Sequence, residues 1–340
     1  MQALIDRANP YLALLGLGWL VPLVKIASGG DRRQQARELW RELGVPLAAI
    51  AIFVVAWAQI AARVETSLGG IPGPAAVWQQ ARELVAEHRA ERERRVEFYA
   101  RQEVRNAAAF AENPQADVRV RKYTGKPTYL DQIRTSLATV FTGFVLAALV
   151  AVPLGVLAGL SRTINAAINP LVQIFKPVSP LAWLPIVTMV VSALYVSSEP
   201  VVQKSFLTSA ITVTLCSMWP ALINTALGVA SIDKDLMNVG RVLQLPWHTK
   251  VTKIVLPSAL PLIFTGLRLS LGVGWMVLIA AEMLAQNPGL GKFVWDEFQN
   301  GSSASLARIM VAVLTIGAIG FLLDRVMLAV QAAVTHTANR

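Results

Sequence analysis

Long apolar runs separated by short polar ones dominate this chain. Runs of roughly twenty apolar residues, the length that crosses a hydrocarbon core as a helix, occur at 43–62, 133–160, 166–196, 205–230, 257–283 and 307–334. The run 205–230 has no charged residue, and 133–160 has only Arg134, at its edge. None shows the short alternating pattern of a barrel strand. The pattern therefore predicts an all-α membrane protein with about six core transmembrane helices. A further run, 11–27, is short and contains Pro22. An extra N-terminal span and an interfacial helix both fit it. A cleaved leader fits less well, because Asp6 offsets Arg7 and no small-x-small site follows cleanly.

Composition sharpens this picture. Hydrophobic residues make up 54% of the 340 and charged residues 15%, against roughly 25% charged in a soluble domain. Of 52 charges, 21 fall between residues 64 and 131, which leaves the rest of the chain still more apolar. A soluble domain, a disordered chain and a disulfide scaffold are excluded, since Cys216 is the one cysteine. The net charge of +10 does not point to nucleic acid, because the basic residues are scattered among apolar runs. It reads instead as topology. Short loops at 28–42, 161–165, 231–256 and 334–340 carry 10 Lys/Arg, whereas those at 196–204 and 287–305 carry 2. The first set is expected in the cytoplasm.

The chain then divides into a hydrophobic segment with a basic linker (1–42), a first core helix (43–63), a charged external insert (64–132), a permeating core (133–334) and a cytoplasmic tail (335–340). The insert opens on the breaker run Gly69-Gly70-Ile71-Pro72-Gly73-Pro74. Glu and Arg follow at helical spacing, as in a solvated helix held by opposite charges three and four residues apart. A docking surface for a periplasmic partner is the second reading.

The loop before 257 carries the most information. Leu236, Val239, Gly240 and Leu243 recur at helical spacing, with Lys234, Asp235, Asn238, Arg241 and Gln244 elsewhere, and Pro246 ends the helix within about a dozen residues (233–245). So short an amphipathic helix lies in the lipid interface or in a groove on a soluble partner. The residues alone leave both uses open.

The run Asn238-Val239-Gly240-Arg241-Val242-Leu243-Gln244-Leu245-Pro246-Trp247, followed by Ile254-Val255-Leu256-Pro257, resembles the cytoplasmic coupling loop of ABC importer permeases. That loop is written Glu-Ala-Ala, three residues, Gly, nine residues, Ile, one residue, Leu-Pro. Anchored on Leu256-Pro257, Ile254 falls on the family isoleucine, Gln244 on its glycine, and Asn238, Val239 and Gly240 on Glu-Ala-Ala. The spacing and the Ile-x-Leu-Pro end survive; the acid and the glycine do not. Pro177-Val178-Ser179-Pro180-Leu181-Ala182-Trp183-Leu184-Pro185, Phe264-Thr265-Gly266-Leu267-Arg268, Ala280-Ala281-Glu282-Met283-Leu284 and Val294-Trp295-Asp296-Glu297 are similar to nitrate- and bicarbonate-type permeases, within the nitrate, sulfonate and taurine class.

The resemblance implies a type I ABC importer bundle working by alternating access in a bacterial inner membrane. Its partners would be a second permease copy, two cytoplasmic ATPases, and a periplasmic or lipid-anchored solute-binding protein. The chain has no Gly-x-x-x-x-Gly-Lys-[Ser/Thr] run, so it is expected to bind no cofactor itself and to leave ATP and Mg to those ATPases. Nitrate or nitrite is the expected solute, with bicarbonate, cyanate, sulfonate or taurine as alternatives. A secondary transporter would show two matched halves with paired broken helices.

Expected coupling residues are Asp235, Asn238, Val239, Gly240, Arg241, Leu243, Gln244, Pro246, Ile254, Leu256 and Pro257. Expected pathway residues are Lys176, Ser179, Trp183, Arg268, Trp275 and Glu282. At 1.5 Å per residue, Arg268 and Lys176 lie about 16 and about 15 Å from the cytoplasmic starts of their runs, near mid-membrane, where a charge is functional or paired. A cation pair there suits a small monovalent anion. Otherwise Arg268 pairs with an acid and Lys176 snorkels. Glu282 is expected at a gate or in a salt bridge. No nucleophile supports catalysis, and His88, His248 and His336 are too dispersed for a metal. Gly155 and Gly159 read as a close-packing pair.

Overall fold

A computed structural model describes residues 20–27, 32–66, 69–113, 118, 120–196 and 202–338. Most of the run 11–27, part of the loop 196–204 and the side chain of His336 lie outside the described residues. Helices α1 (Leu20–Ala27) and α2 (Arg32–Leu39) lead through a π turn into α3 (Val45–Ala61). A two-residue hairpin pairs Glu65–Thr66 with Gly69–Gly70. Then come α4 (Pro74–Glu112), α5 (Tyr129–Leu160), α6 (Arg162–Phe175), α7 (Pro180–Leu194), α8 (Lys204–Ala230) and α9 (Lys234–Val242). The chain ends with α10 (Trp247–Lys250), a second π turn, α11 (Leu256–Ala285), α12 (Leu290–Asn300) and α13 (Ser303–Ala338).

Among the described residues five helical stretches are long and apolar enough to cross a membrane, or six if one bent pair counts as a span. That pair corrects the expectation of a continuous helix over 166–196. Helices α6 and α7 meet at 102°, and at 14 and 15 residues each is shorter than a crossing requires. Pro177 and Pro180 withdraw two N–H donors there. Ser179 then starts α7, its Oγ accepting from the Leu181 N–H at 3.3 Å. The expected span 257–283 also proves to be part of one helical rod, Trp247–Ala285, so Ile254, Leu256 and Pro257 extend directly into the membrane helix.

The core is the triple packing of α5, α8 and α11. Lipid tails are as apolar as leucine, so helices associate there by close approach and interhelical hydrogen bonds. On α5 a Cβ at Gly155 would stand 2.8 Å from the Leu222 carbonyl oxygen, and one at Gly159 2.7 Å from that of Ala226. Only glycine lets α8 come this near. Buried hydroxyls bond to carbonyls: Thr212 to Thr208 O (2.8 Å), Thr214 to Gly143 O (3.1 Å) and Ser270 to Ser217 O (2.5 Å). No polar atom of these bonds then faces lipid. By contrast Ile50, Ile52, Phe53, Val55 and Ile60 of α3 are all exposed, as a lipid-facing outer helix requires. The first turns of α4 pack Val77 and Leu84 into the same core as Tyr129, Phe293 and Val311.

Gly155→Val should overpack the α5–α8 contact and cost about 1–3 kcal/mol, read as a lower Tm in detergent. Gly317→Ala is the control, because nothing lies within 4 Å of its Cβ position; equal Tm values for both variants would refute the close-packing account.

Candidate functional site

The loop joining α8 to α11 is a built structure. Asp233 caps α9, its Oδ1 accepting from the Asp235 N–H at 2.9 Å. The helix runs nine residues, Lys234–Val242, shorter than the expected 233–245. Its end explains why. Gln244 N–H bonds the Arg241 carbonyl at 3.0 Å and Leu245 N–H the Gly240 carbonyl at 3.1 Å, the paired bonds of a left-handed helix stop. The stop needs positive φ at its pivot, and Gln244 has φ 47°. This is the position onto which the resemblance places a glycine, the residue that takes positive φ most readily.

The inner and outer faces of α9 differ. Met237 packs on the cluster of Val156, Val229, Val255, Ala259 and Ile263. Gly240 is buried, and a Cβ there would lie 2.9 Å from Ile254 Cδ1, so the motif's two ends lock together. Ile254, Leu256 and Pro257 are half-buried, while Asp235, Asn238, Arg241 and Pro246 are exposed, with Arg241 reaching Asn238 Oδ1 at 3.4 Å. Leu236, Val239 and Leu243 face outward beside Val242, 81% exposed, and Trp247, 63% exposed. Gly240 thus leaves the apolar stripe that its spacing put it on, because it is the point of contact with Ile254 in the π turn that leads into α11.

The pathway candidates are scattered. Arg268 on α11 donates to Asp324 on α13 through Nε (2.5 Å) and Nη2 (2.9 Å), a bidentate fork. The pair flanks a cavity of about 250 Å³ lined also by Leu271, Gly272, Trp275, Gly320 and Leu323. Lys176 is not part of that lining; it sits exposed at the break between α6 and α7. Of the two readings, a cation pair with Lys176 or an acid partner for Arg268, the structure has the acid partner, Asp324. Trp183 packs on Phe175 with centroids 5.7 Å apart, and Phe175 stacks on Trp219 at 6.3 Å. Trp275 is buried, its Nε1 donating to the Ile316 carbonyl at 3.0 Å.

Of the two roles expected for Glu282, a gate or a salt bridge, the salt bridge is not found among the described residues. Glu282 is 0% exposed, and its carboxylate meets neutral donors: Ser136 Oγ at 2.8 Å, Gly291 N–H at 3.0 Å and Asn287 Nδ2 at 3.4 Å. Leu290 N–H in turn bonds Ser136 Oγ at 2.8 Å. Helix α12 starts after Gly289, which has no side chain to cap it, so Glu282 and Ser136 cap it from α11 and α5. At the other end of α12 the buried Glu297 accepts from Ser305 Oγ at 2.9 Å and Arg308 Nη1 at 3.3 Å. Arg308 also pairs with Glu87 of α4.

Sequence reasoning missed Asp324, Ser136 and Arg308. Asp324 had a signal, an acid inside an apolar run. Ser136 had none.

The family model described as "binding-protein-dependent transport system inner membrane component" matches residues 151–336. This chain belongs to that family. The bicarbonate transport system permease of Synechococcus elongatus is 40% identical over 195 residues, 57% of this chain and 65% of that protein. The nitrate import permease of the same species is 35% identical over 196 residues, 58% of this chain and 66% of its own length. Both matches thus span slightly less than two thirds of the relative. In fold the chain is similar to the methionine ABC transporter MetNI solved in inward-facing conformations, with TM-score 0.52 at 17% identity over 61% of this chain and 96% of that one. The architecture is accordingly that of a type I ABC importer permease.

Two outcomes test the site. Gln244→Gly should be tolerated, whereas the branched Gln244→Val should loosen the loop by about 1–2 kcal/mol, seen as faster proteolysis around Leu243; equal cleavage rates would remove the turn argument. Arg268→Ala and Asp324→Ala should each lower the yield of folded protein in membranes, with Arg268→Ala/Asp324→Ala losing less than the sum. Strictly additive losses would show that the pair is not coupled.

Proposed function

We propose that this chain is the membrane subunit of an ATP-driven importer for a small inorganic anion. The observation that carries the reading is the cytoplasmic loop. An apolar patch (Leu236, Val239, Val242, Leu243, Trp247) is exposed on a short capped helix, and Met237 on the helix's other face packs on a cluster drawn from α5, α8 and α11. Such a patch belongs against a partner. An ATPase pressing on it pushes a rigid lever into the bundle, so ATP-driven closure tilts the crossing helices and exchanges inward and outward openings.

Two copies of the chain would enclose the path, two ATPases would supply Mg-ATP hydrolysis, and a solute-binding protein would deliver the anion in a bacterial inner membrane. The relatives' names supply the substrate class. Nitrate and bicarbonate are both flat, singly charged and three-oxygened. Nitrate or nitrite is the solute proposed, with bicarbonate next and sulfonate or taurine as the alternative.

Membrane vesicles carrying the chain with its ATPases and binding protein should take up labelled nitrate or bicarbonate only with ATP inside the ATPase compartment, with taurine competing weakly. Full-speed downhill or ion-exchange movement without ATPases would overturn the importer reading; taurine uptake alone would overturn the substrate.

A further inference from the structure

The 39 residues of α4 make a rod of about 58 Å, and only its first half touches the bundle. Val77, Trp78 and Ala81 line a cavity of about 320 Å³ together with Val311, Leu314 and Thr315 of α13. The root is then fastened at one level: Glu87 to Arg308, His88 Nδ1 to Thr128 Oγ1 at 2.6 Å, and Arg92 to Asp131 at 3.6 Å. Beyond Arg92 about 30 Å of helix continues past the bundle, at the end opposite α9.

This projection is stiffened by the chain's return. Buried Gln102 accepts from the Arg121 N–H at 3.0 Å and Tyr99 Oη from the Tyr123 N–H at 3.2 Å. Tyr123 donates to Glu91 at 2.7 Å, packs on Phe98 at 5.4 Å, and lies under the Arg95 guanidinium at 5.7 Å. A linker needs none of these contacts. The projection exposes Val96, Val104, Phe110 and Val120 among eight basic and five acidic residues over 93–128. A cavity of about 580 Å³ opens between its root and α12.

We propose that the projecting part of α4 and its return segment form a docking post for the solute-binding protein, through an acidic face on that protein, and that Arg308 connects the post to α12. The proposal rests on the importer reading. The family is binding-protein-dependent, so the end opposite the coupling helix must receive a soluble protein, and the post stands there with net positive charge. The post lies outside the family match at 151–336. Its connection runs from Glu87 through Arg308 to Glu297, and along α12 to the cap at Glu282. A protein gripping the post thereby pulls on a helix held at both ends.

The test is ATPase activity of the complete complex in proteoliposomes, titrated with the cognate nitrate- or bicarbonate-binding protein loaded with its anion. Arg101→Glu/Arg105→Glu/Lys122→Glu should raise the half-stimulating concentration about tenfold or more, as expected of rim charges, at unchanged basal rate. Arg308→Gln should leave that concentration unchanged and lower maximal stimulation at least twofold. An unshifted half-stimulating concentration in the triple variant, with normal basal ATPase, overturns the post alone. So does copy-to-copy cross-linking through Val104→Cys, in a Cys216→Ala background, that the binding protein does not compete away. A wild-type complex with no ATPase overturns the importer reading and the post with it.

Discussion

Inside a membrane no water is available to complete a hydrogen bond, so the backbone N–H and C=O groups of the crossing region must find their partners within the protein. This constraint organises the bundle. It accounts for the threonine and serine hydroxyls turned back on carbonyls, such as Thr212 to Thr208, and for the bidentate bond that Arg268 makes to Asp324. It also explains the cap on α12. Gly289 provides no side-chain acceptor, so Ser136 and Glu282 receive the amides of Leu290 and Gly291. A carboxylate is suited to that place because a helix N-terminus carries partial positive charge.

The same bundle presents different surfaces at its two ends. At one, α9 hangs on Met237 and Gly240 and exposes an apolar edge. At the other, α4 rises on ion pairs and shows mostly charge. Between them run α5, α8 and α11, too closely packed at Gly155 and Gly159 to deform gradually. Packed interfaces of this kind move as units.

Much of this was readable along the chain. Apolar runs of crossing length, the excess of Lys and Arg in one set of loops, and the spacing from Asn238 to Pro257 are local or one-dimensional signals. The break near Pro177 and Pro180 was signalled by two prolines, but its 102° angle was not, because an angle depends on what each half packs against. Gln244 shows the opposite case. Its position matched a glycine in the resemblance, yet its side chain gave no hint of positive φ; the turn is closed by the backbone bonds of Gln244 to Arg241 and Leu245 to Gly240.

The order of elements and their hydrophobic faces follow from residues near one another in the chain, where periodicity and proline act within a few positions. The partners of the charged and capping groups do not. Ser136 and Glu282 are 146 positions apart, Arg268 and Asp324 are 56, and Glu87 and Arg308 are 221. Which of many polar side chains meets which is settled by how helices lie against one another. A lone acid such as Asp324 can be recognised as unusual in one dimension; its arginine is chosen in three.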